Sequence, residues 1–137
     1  MGKLVRTICG HMVDLILDIR KGSPNFGKII AYDLPANKDK DYNEWIWLPP
    51  GFAHGNCFFS DTYIEYFCSA EYSPGCEAGI SPLAQDIDWS ICDLDLKNKI
   101  KPMIKTTQLI TDKDKNAFTL ASWQSDRRSD NFIYIQT

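Results

Sequence analysis

His54 carries the most defined chemistry in this 137-residue chain. It follows Pro49-Pro50-Gly51 and precedes Gly55. Proline cannot continue a central strand, so the corner delivers the imidazole to a set place, and the flanking glycine lets a ligand come close. Tyr66 lies in a short run of strand character, and its phenol is a weak acid able to hand a proton to a carbanion. Lys3 and Asp14 fall on the first two strand-like runs, where a barrel interior could gather them. Each of these also has a plainer reading. A lone histidine beside a turn is more often structural, a strand tyrosine is more often packing, and Asp14 could face solvent from an alternating strand. A metal centre is not expected. His11 and His54 are the two histidines, and no H-x-H with a downstream Glu supplies three ligands.

The elements that must position these residues are mostly strands. Leu4 to Cys9 is a short apolar-rich run, and Met12 to Arg20 follows after Gly10. In the second run Val13, Leu15, Leu17 and Ile19 alternate with Asp14, Asp18 and Arg20, the period of a strand with one buried face. The two runs are expected to pair. Turn chemistry at Lys21 to Gly27 leads into Lys28 to Leu34, then a polar stretch from Asn37 to Asn43. Trp45 to Leu48, Asn56 to Phe59 and Tyr63 to Cys68 complete the strands. Turns every eight to twelve residues or so between short strands predict a mainly β fold, a jelly-roll (cupin-like) β-barrel with short C-terminal helices.

After Trp89 the pattern turns charged and helical. Asp95 to Ile104 is weakly amphipathic and Lys113 to Trp123 is the better helix, with Thr111 and Asp114 approximating a capping box at its start. Gln124 to Asp130 reads as loop, and Phe132 to Ile135 as a last strand or a docking segment. One domain is expected, with residues 1–93 as its barrel core and 94–137 as its helical segment and tail. At 44% hydrophobic, the chain has the material for one real core.

A net charge of −3 without a basic block gives no reason to expect nucleic acid. The lysines at 97, 99, 101 and 105 read as a solvated surface. No run approaches the ~20 apolar residues of a membrane helix, and no export signal opens the chain, so a cytoplasmic protein is expected. Five cysteines, an odd number without C-x-x-C spacing, read as buried or half-buried free thiols.

GKLVR at 2–6, VDLILDIRKGSPNFGK at 13–28, WLPPGFAHG at 47–55, YFCSAEYSPGCEAGISPL at 66–83 and ITDKD at 110–114 stand in one order. In that order they resemble successive segments of the dTDP-4-dehydrorhamnose 3,5-epimerases. The resemblance implies a cofactor-free, metal-free barrel that inverts two stereocentres of a dTDP-4-keto-6-deoxyhexose. The C4 ketone acidifies the hydrogens on C3 and C5. In such enzymes a histidine held by an aspartate takes the proton, a lysine stabilises the enolate oxygen and a tyrosine returns a proton.

Carried over by motif, Lys3 resembles the enolate-stabilising lysine, Tyr66 the proton donor and Asp114 the aspartate that orients the base. Asp14, His54, Tyr72 and Glu77 resemble substrate-pocket or supporting residues. The family's base histidine lies about ten residues ahead of the position of Lys3, a spacing taken from the resemblance. The expectation is therefore a chain without that base and impaired in turnover. A homodimer and a dTDP-sugar substrate are implied as partners. A related 3-epimerase or ketoisomerase, or a non-catalytic barrel that binds a nucleotide sugar or a protein, are the alternatives.

Overall fold

The structure is a computed structural model that describes residues 1–37 and 41–136. Residues 38–40, within the polar stretch read from Asn37 to Asn43, and residue 137 lie outside the described residues.

Six strands form two antiparallel sheets among the described residues. They are β1 (Lys3–Cys9), β2 (His11–Asp18), β3 (Ile29–Pro35), β4 (Ile46–Leu48), β5 (Phe52–Phe58) and β6 (Tyr63–Cys68). One sheet has the order β4-β1-β6 and the other β3-β2-β5. The expected pairing of the first two runs is therefore corrected: β1 and β2 are consecutive but belong to different sheets. A register shift between Thr7 and Cys9 bends the end of β1. Gly10 then turns the chain with φ of +88°, where an added Cβ would meet the Asp61 carbonyl oxygen. A bulge followed by a left-handed glycine redirects the strand into the facing sheet, as a jelly roll requires.

Both faces of β2 are covered, which explains its near-continuous burial. On one face Val13, Leu15 and Leu17 pack with Ile29, Trp89, Ile100, Leu120 and Trp123, so the C-terminal segment closes over the outside of this sheet. On the other, Met12 joins Val5, Leu34, Ile46 and Leu48 between the two sheets. The alternation read from the sequence had one buried face and one polar face. In the fold the polar face, with Asp14 and Asp18, is the barrel interior, and both aspartates are buried.

Asp18 ties the two turn motifs together at one end of the barrel. Its carboxylate accepts from Arg20 Nη2 at 2.7 Å and from Ser23 Oγ at 2.7 Å. Burial pushes this carboxyl up, but the donors of Arg20 and Ser23 outweigh it and hold the group below its usual range. Arg20 lies over the Phe52 ring at 4.4 Å, and Ile19 N–H donates to the Gly51 carbonyl at 3.1 Å. The PPG corner is thereby docked on the SPNFG turn, and β5 begins directly at Phe52 rather than at the expected Asn56. His54 accordingly sits inside a strand.

The helical segment differs from its expected form. α1 (Leu94–Lys105) starts at Asp93, whose side chain accepts from the Leu96 N–H. The single helix expected over Lys113 to Trp123 is two: α2 (Asp112–Lys115), capped by Thr111, and α3 (Leu120–Ser125), capped by Thr119 and Ser122. Thr119 competes for helix backbone donors more effectively as a cap than as an interior residue, so the chain restarts there. A short 3₁₀ turn occupies Arg127–Asn131, inside the stretch read as loop. The last segment docks: Ile133 bridges Lys21, and Phe132 lies 6.0 Å from the Trp123 ring. Two of the five thiols, Cys68 and Cys76, are exposed rather than covered, and all five are free.

Candidate active site

The interior between the sheets opens into a cavity of about 270 Å³. Lys3 and Val5 come from β1, Ile64 and Tyr66 from β6, and His54 and Asn56 from β5. Strand period and register explain why these six meet. Val5 pairs with Tyr66, while Ile16 pairs with His54 and Asp14 with Asn56, so alternate residues of both sheets project into the same space. Lys3 is held on both sides, opposite Leu48 of β4 and Cys68 of β6.

A polar line runs inward from the cavity. Lys3 Nζ lies 2.7 Å from His54 Nε2, and His54 Nδ1 lies 3.6 Å from Asp14 Oδ1. An ammonium has only donors, so Nε2 must offer its lone pair, and the ring proton of a neutral His54 then sits on Nδ1, facing Asp14. Asp14 is 0% exposed. Its Oδ2 accepts from Asn56 Nδ2 at 3.3 Å, and the same amide nitrogen lies 3.0 Å from Met12 Sδ. Among the described residues, Asp14 Oδ1 and His54 Nδ1 are the buried side-chain atoms without a hydrogen-bond partner. They face one another, and a shift of a few tenths of an ångström would join them.

Tyr66, 56% exposed, stands at the cavity mouth. Asp114 lies outside the cavity lining, on α2. Its carboxylate accepts from Thr111 Oγ1 at 2.7 Å and its backbone N–H donates to the same hydroxyl, so helix capping accounts for its position. Tyr72 and Glu77 are also outside the lining but belong together. Tyr72 donates to Glu77 Oε2 at 3.2 Å, and Lys113 pairs with the same carboxylate oxygen. The bond from Lys113 is the main reason that the Glu77 carboxyl is held low, and the positive charge of Lys3 adds to it. Tyr72, Glu77 and Lys113 therefore form a rim cluster within electrostatic reach of the cavity.

Lys3, His54 and Tyr66 thus line one cavity with Asp14 buried behind His54, while Asp114, Tyr72 and Glu77 are outside its lining. Asn56 was absent from the expected set. Its signal was present, since it lies two residues beyond His54 and so shares its face. Among the described residues no group of three His, Cys, Asp or Glu is placed to hold a metal ion, and no helix is long and apolar enough to cross a membrane.

The family described as dTDP-4-dehydrorhamnose 3,5-epimerase matches residues 1–122. The Shigella flexneri dTDP-4-dehydrorhamnose 3,5-epimerase is 40% identical over 93 residues, covering 66% of this chain and 49% of that protein. This chain therefore spans about half the length of that relative. A solved structure of the dTDP-6-deoxy-D-glucose-3,5-epimerase from Legionella pneumophila, in complex with dTDP-4-keto-L-rhamnose, superposes with a TM-score of 0.67. It is 26% identical, over 99% of this chain and 63% of that one. A 3'-monoepimerase from Streptomyces bikiniensis in complex with dTDP-quinovose gives a TM-score of 0.68 at 26% identity, over 90% of this chain and 56% of that one. With its jelly-roll barrel and a family match over most of its length, the chain belongs to the dTDP-4-dehydrorhamnose 3,5-epimerase family.

Proposed function

We propose that this chain is the barrel of an epimerase that acts on a dTDP-4-keto-6-deoxyhexose at C3 and C5. The observation that carries this reading is the placement of an ammonium, an imidazole and a phenol in one cavity: Lys3, His54 and Tyr66. A base presented at the cavity rim, a role that none of Lys3, His54 and Tyr66 fills, takes the proton from C3 or C5, and the electron pair left behind sends negative charge to the C4 oxygen. Lys3 receives that charge. Its ammonium is oriented by the His54 Nε2 lone pair at 2.7 Å, which leaves its other N–H groups for the oxyanion. Tyr66 hands a proton back to carbon. His54 in this arrangement positions Lys3, with Asp14 behind it, and does not act as the base. The chemistry needs no cofactor, because the ketone itself stabilises the carbanion.

Tyr72 and Glu77, tied to Lys113, are proposed to face the substrate from the rim, and Asp114 to orient a base that reaches the same rim. Five free thiols and a nucleotide-sugar substrate support a cytoplasmic setting.

A homodimer is proposed through the outer face of the β4-β1-β6 sheet. Trp47, Phe67, Tyr63 and Ile8 are exposed there, and Trp45 stacks on Phe67 at 5.6 Å. So large an aromatic face is unusual on a monomer. Sedimentation of the wild-type chain and of Phe67→Asp at micromolar concentration checks it: a dimer that Phe67→Asp does not weaken argues against this face.

The activity is tested by incubating the chain with the keto sugar in D₂O and following deuterium at C3 and C5 by NMR. Incorporation at both carbons supports the 3,5-epimerase. Incorporation at C3 alone indicates a 3-epimerase, the second reading, which the likeness to the Streptomyces bikiniensis 3'-monoepimerase favours. Binding of dTDP without exchange at either carbon refutes both.

A further inference from the structure

We propose that Asn56 is a positioning residue of this site: its carboxamide holds the Asp14 carboxylate so that His54 keeps its proton on Nδ1 and its lone pair on the Lys3 side. The inference rests on the reading of the cavity given above, but its geometry stands in the cavity alone.

Asp14 is a carboxylate with no exposure, and among the described residues no lysine or arginine forms an ion pair with it. A buried anion of this kind depends on every donor that reaches it. Two groups face it. Asn56 Nδ2 is 3.3 Å from Oδ2, and His54 Nδ1 is 3.6 Å from Oδ1. The amide orientation is dictated by charge, since the flipped carboxamide would set its carbonyl oxygen against the carboxylate. With Oδ2 held by Asn56, Oδ1 is left turned toward the imidazole. Cross-strand pairing makes the hold rigid, because Asp14 and Asn56 are direct register partners on β2 and β5.

The consequence reaches Lys3 through the ring. His54 with its proton on Nδ1 presents the Nε2 lone pair to the ammonium at 2.7 Å. The other tautomer would place an N–H against Lys3, with two donors facing each other, and leave a lone pair facing a carboxylate. Asn56 thus reinforces, from the Asp14 side, the tautomer that the Lys3 ammonium requires from the other, without touching Lys3. The carboxamide oxygen of Asn56 makes no hydrogen bond among the described residues and remains the polar atom that this side chain can offer the cavity it lines.

The test is the ¹⁵N signature of the His54 ring in the labelled full chain, read by long-range ¹H–¹⁵N correlation, with His11 on the far side of β2 as the internal reference. Wild type is expected to show a protonated Nδ1 and an unprotonated Nε2. Asn56→Leu, which keeps the bulk and loses the donor, is expected to show a mixture of tautomers, and turnover is expected to fall about tenfold with dTDP affinity unchanged. Asn56→Asp, nearly isosteric, replaces the amide donor with a carboxyl beside Asp14 and is expected to shift the His54 Nδ1 resonance from its wild-type position, which reads the same coupling should Asn56→Leu fail to fold. A wild-type ring protonated on Nε2, or a wild-type pattern retained in either folded variant, overturns the inference. Absence of turnover in wild type would sink the proposed activity but leave the ring signature, and hence this inference, decided on its own.

Discussion

Lys3→Met isolates the charge that the proposed reaction needs most. Lys3 is pinned by backbone pairing to both neighbouring strands, its Nζ is set by His54 at 2.7 Å, and among the described residues no carboxylate forms an ion pair with it. Its charge is therefore available to an oxyanion and is already in place before the reaction starts. A unit charge at a hydrogen-bonding distance of about 3 Å from an enolate oxygen is worth roughly 5 kcal/mol at an effective dielectric of about 20. The cavity mouth is open at Tyr66, and water reduces that figure. A net loss of about 3–4 kcal/mol, or 10²- to 10³-fold in kcat, is the expected cost, in line with the removal of a single oxyanion donor.

The assay is deuterium incorporation at C3 and C5 of the keto sugar, with the dTDP dissociation constant measured in parallel by calorimetry. Both carbons should slow together, because both carbanions place charge on the same C4 oxygen. Affinity for dTDP should change less than about twofold, since Lys3 serves the transition state and not the nucleotide. A folded Lys3→Met variant that exchanges within about threefold of wild type, or that loses turnover only in step with dTDP affinity, would refute the assignment.

Three further outcomes follow from other parts of the molecule. Tyr66→Phe should reduce formation of inverted sugar about 10²-fold while deuterium exchange falls much less, because the returning proton is lost and the abstraction is not; equal loss of both, measured by NMR, counts against the role. Asp18 should steepen acid unfolding. Its carboxyl is held below its unfolded value, so its contribution is complete above about pH 4, where the unfolded group is ionised, and is lost as pH falls through the lower folded value. Urea unfolding of Asp18→Asn should show lower stability at neutral pH and a shallower loss of stability below about pH 4 than wild type. Trp123→Ala should destabilise by about 3–5 kcal/mol, since the indole is 2% exposed in the core between β2 and the C-terminal segment; a loss under about 1 kcal/mol in urea unfolding would mean that this segment is not part of the cooperative unit.

The local signals in this chain were strong wherever covalent geometry or side-chain chemistry acts over a few residues. Pro49-Pro50-Gly51 had to be a corner, because proline lacks a ladder donor and Gly51 takes φ of +99°, against Arg20. Thr111 and Asp114 had to meet at a helix start, and the short alternating runs had to be strands. The order of motifs was sufficient to point to the family. Less was legible where partners are distant in sequence. Alternation in β2 showed two faces but not that the polar one would line the barrel interior, since that depends on which layer covers each face. Helical propensity from Lys113 to Trp123 was outweighed by a second cap at Thr119.

Asp14 shows most clearly what only tertiary structure decided. As a sequence position it was equally a surface residue or a pocket residue. In the fold it is a carboxylate without exposure, set by strand register beside Asn56 and behind His54, whose own contact is Lys3 from the opposite sheet. Residue types settled what chemistry was available: an ammonium, an imidazole, a phenol and a carboxylate. Which of them share a cavity, in which tautomer and with what charge uncompensated, depended on closing two sheets around one interior, because electrostatic coupling acts through a few ångströms of space rather than along the chain.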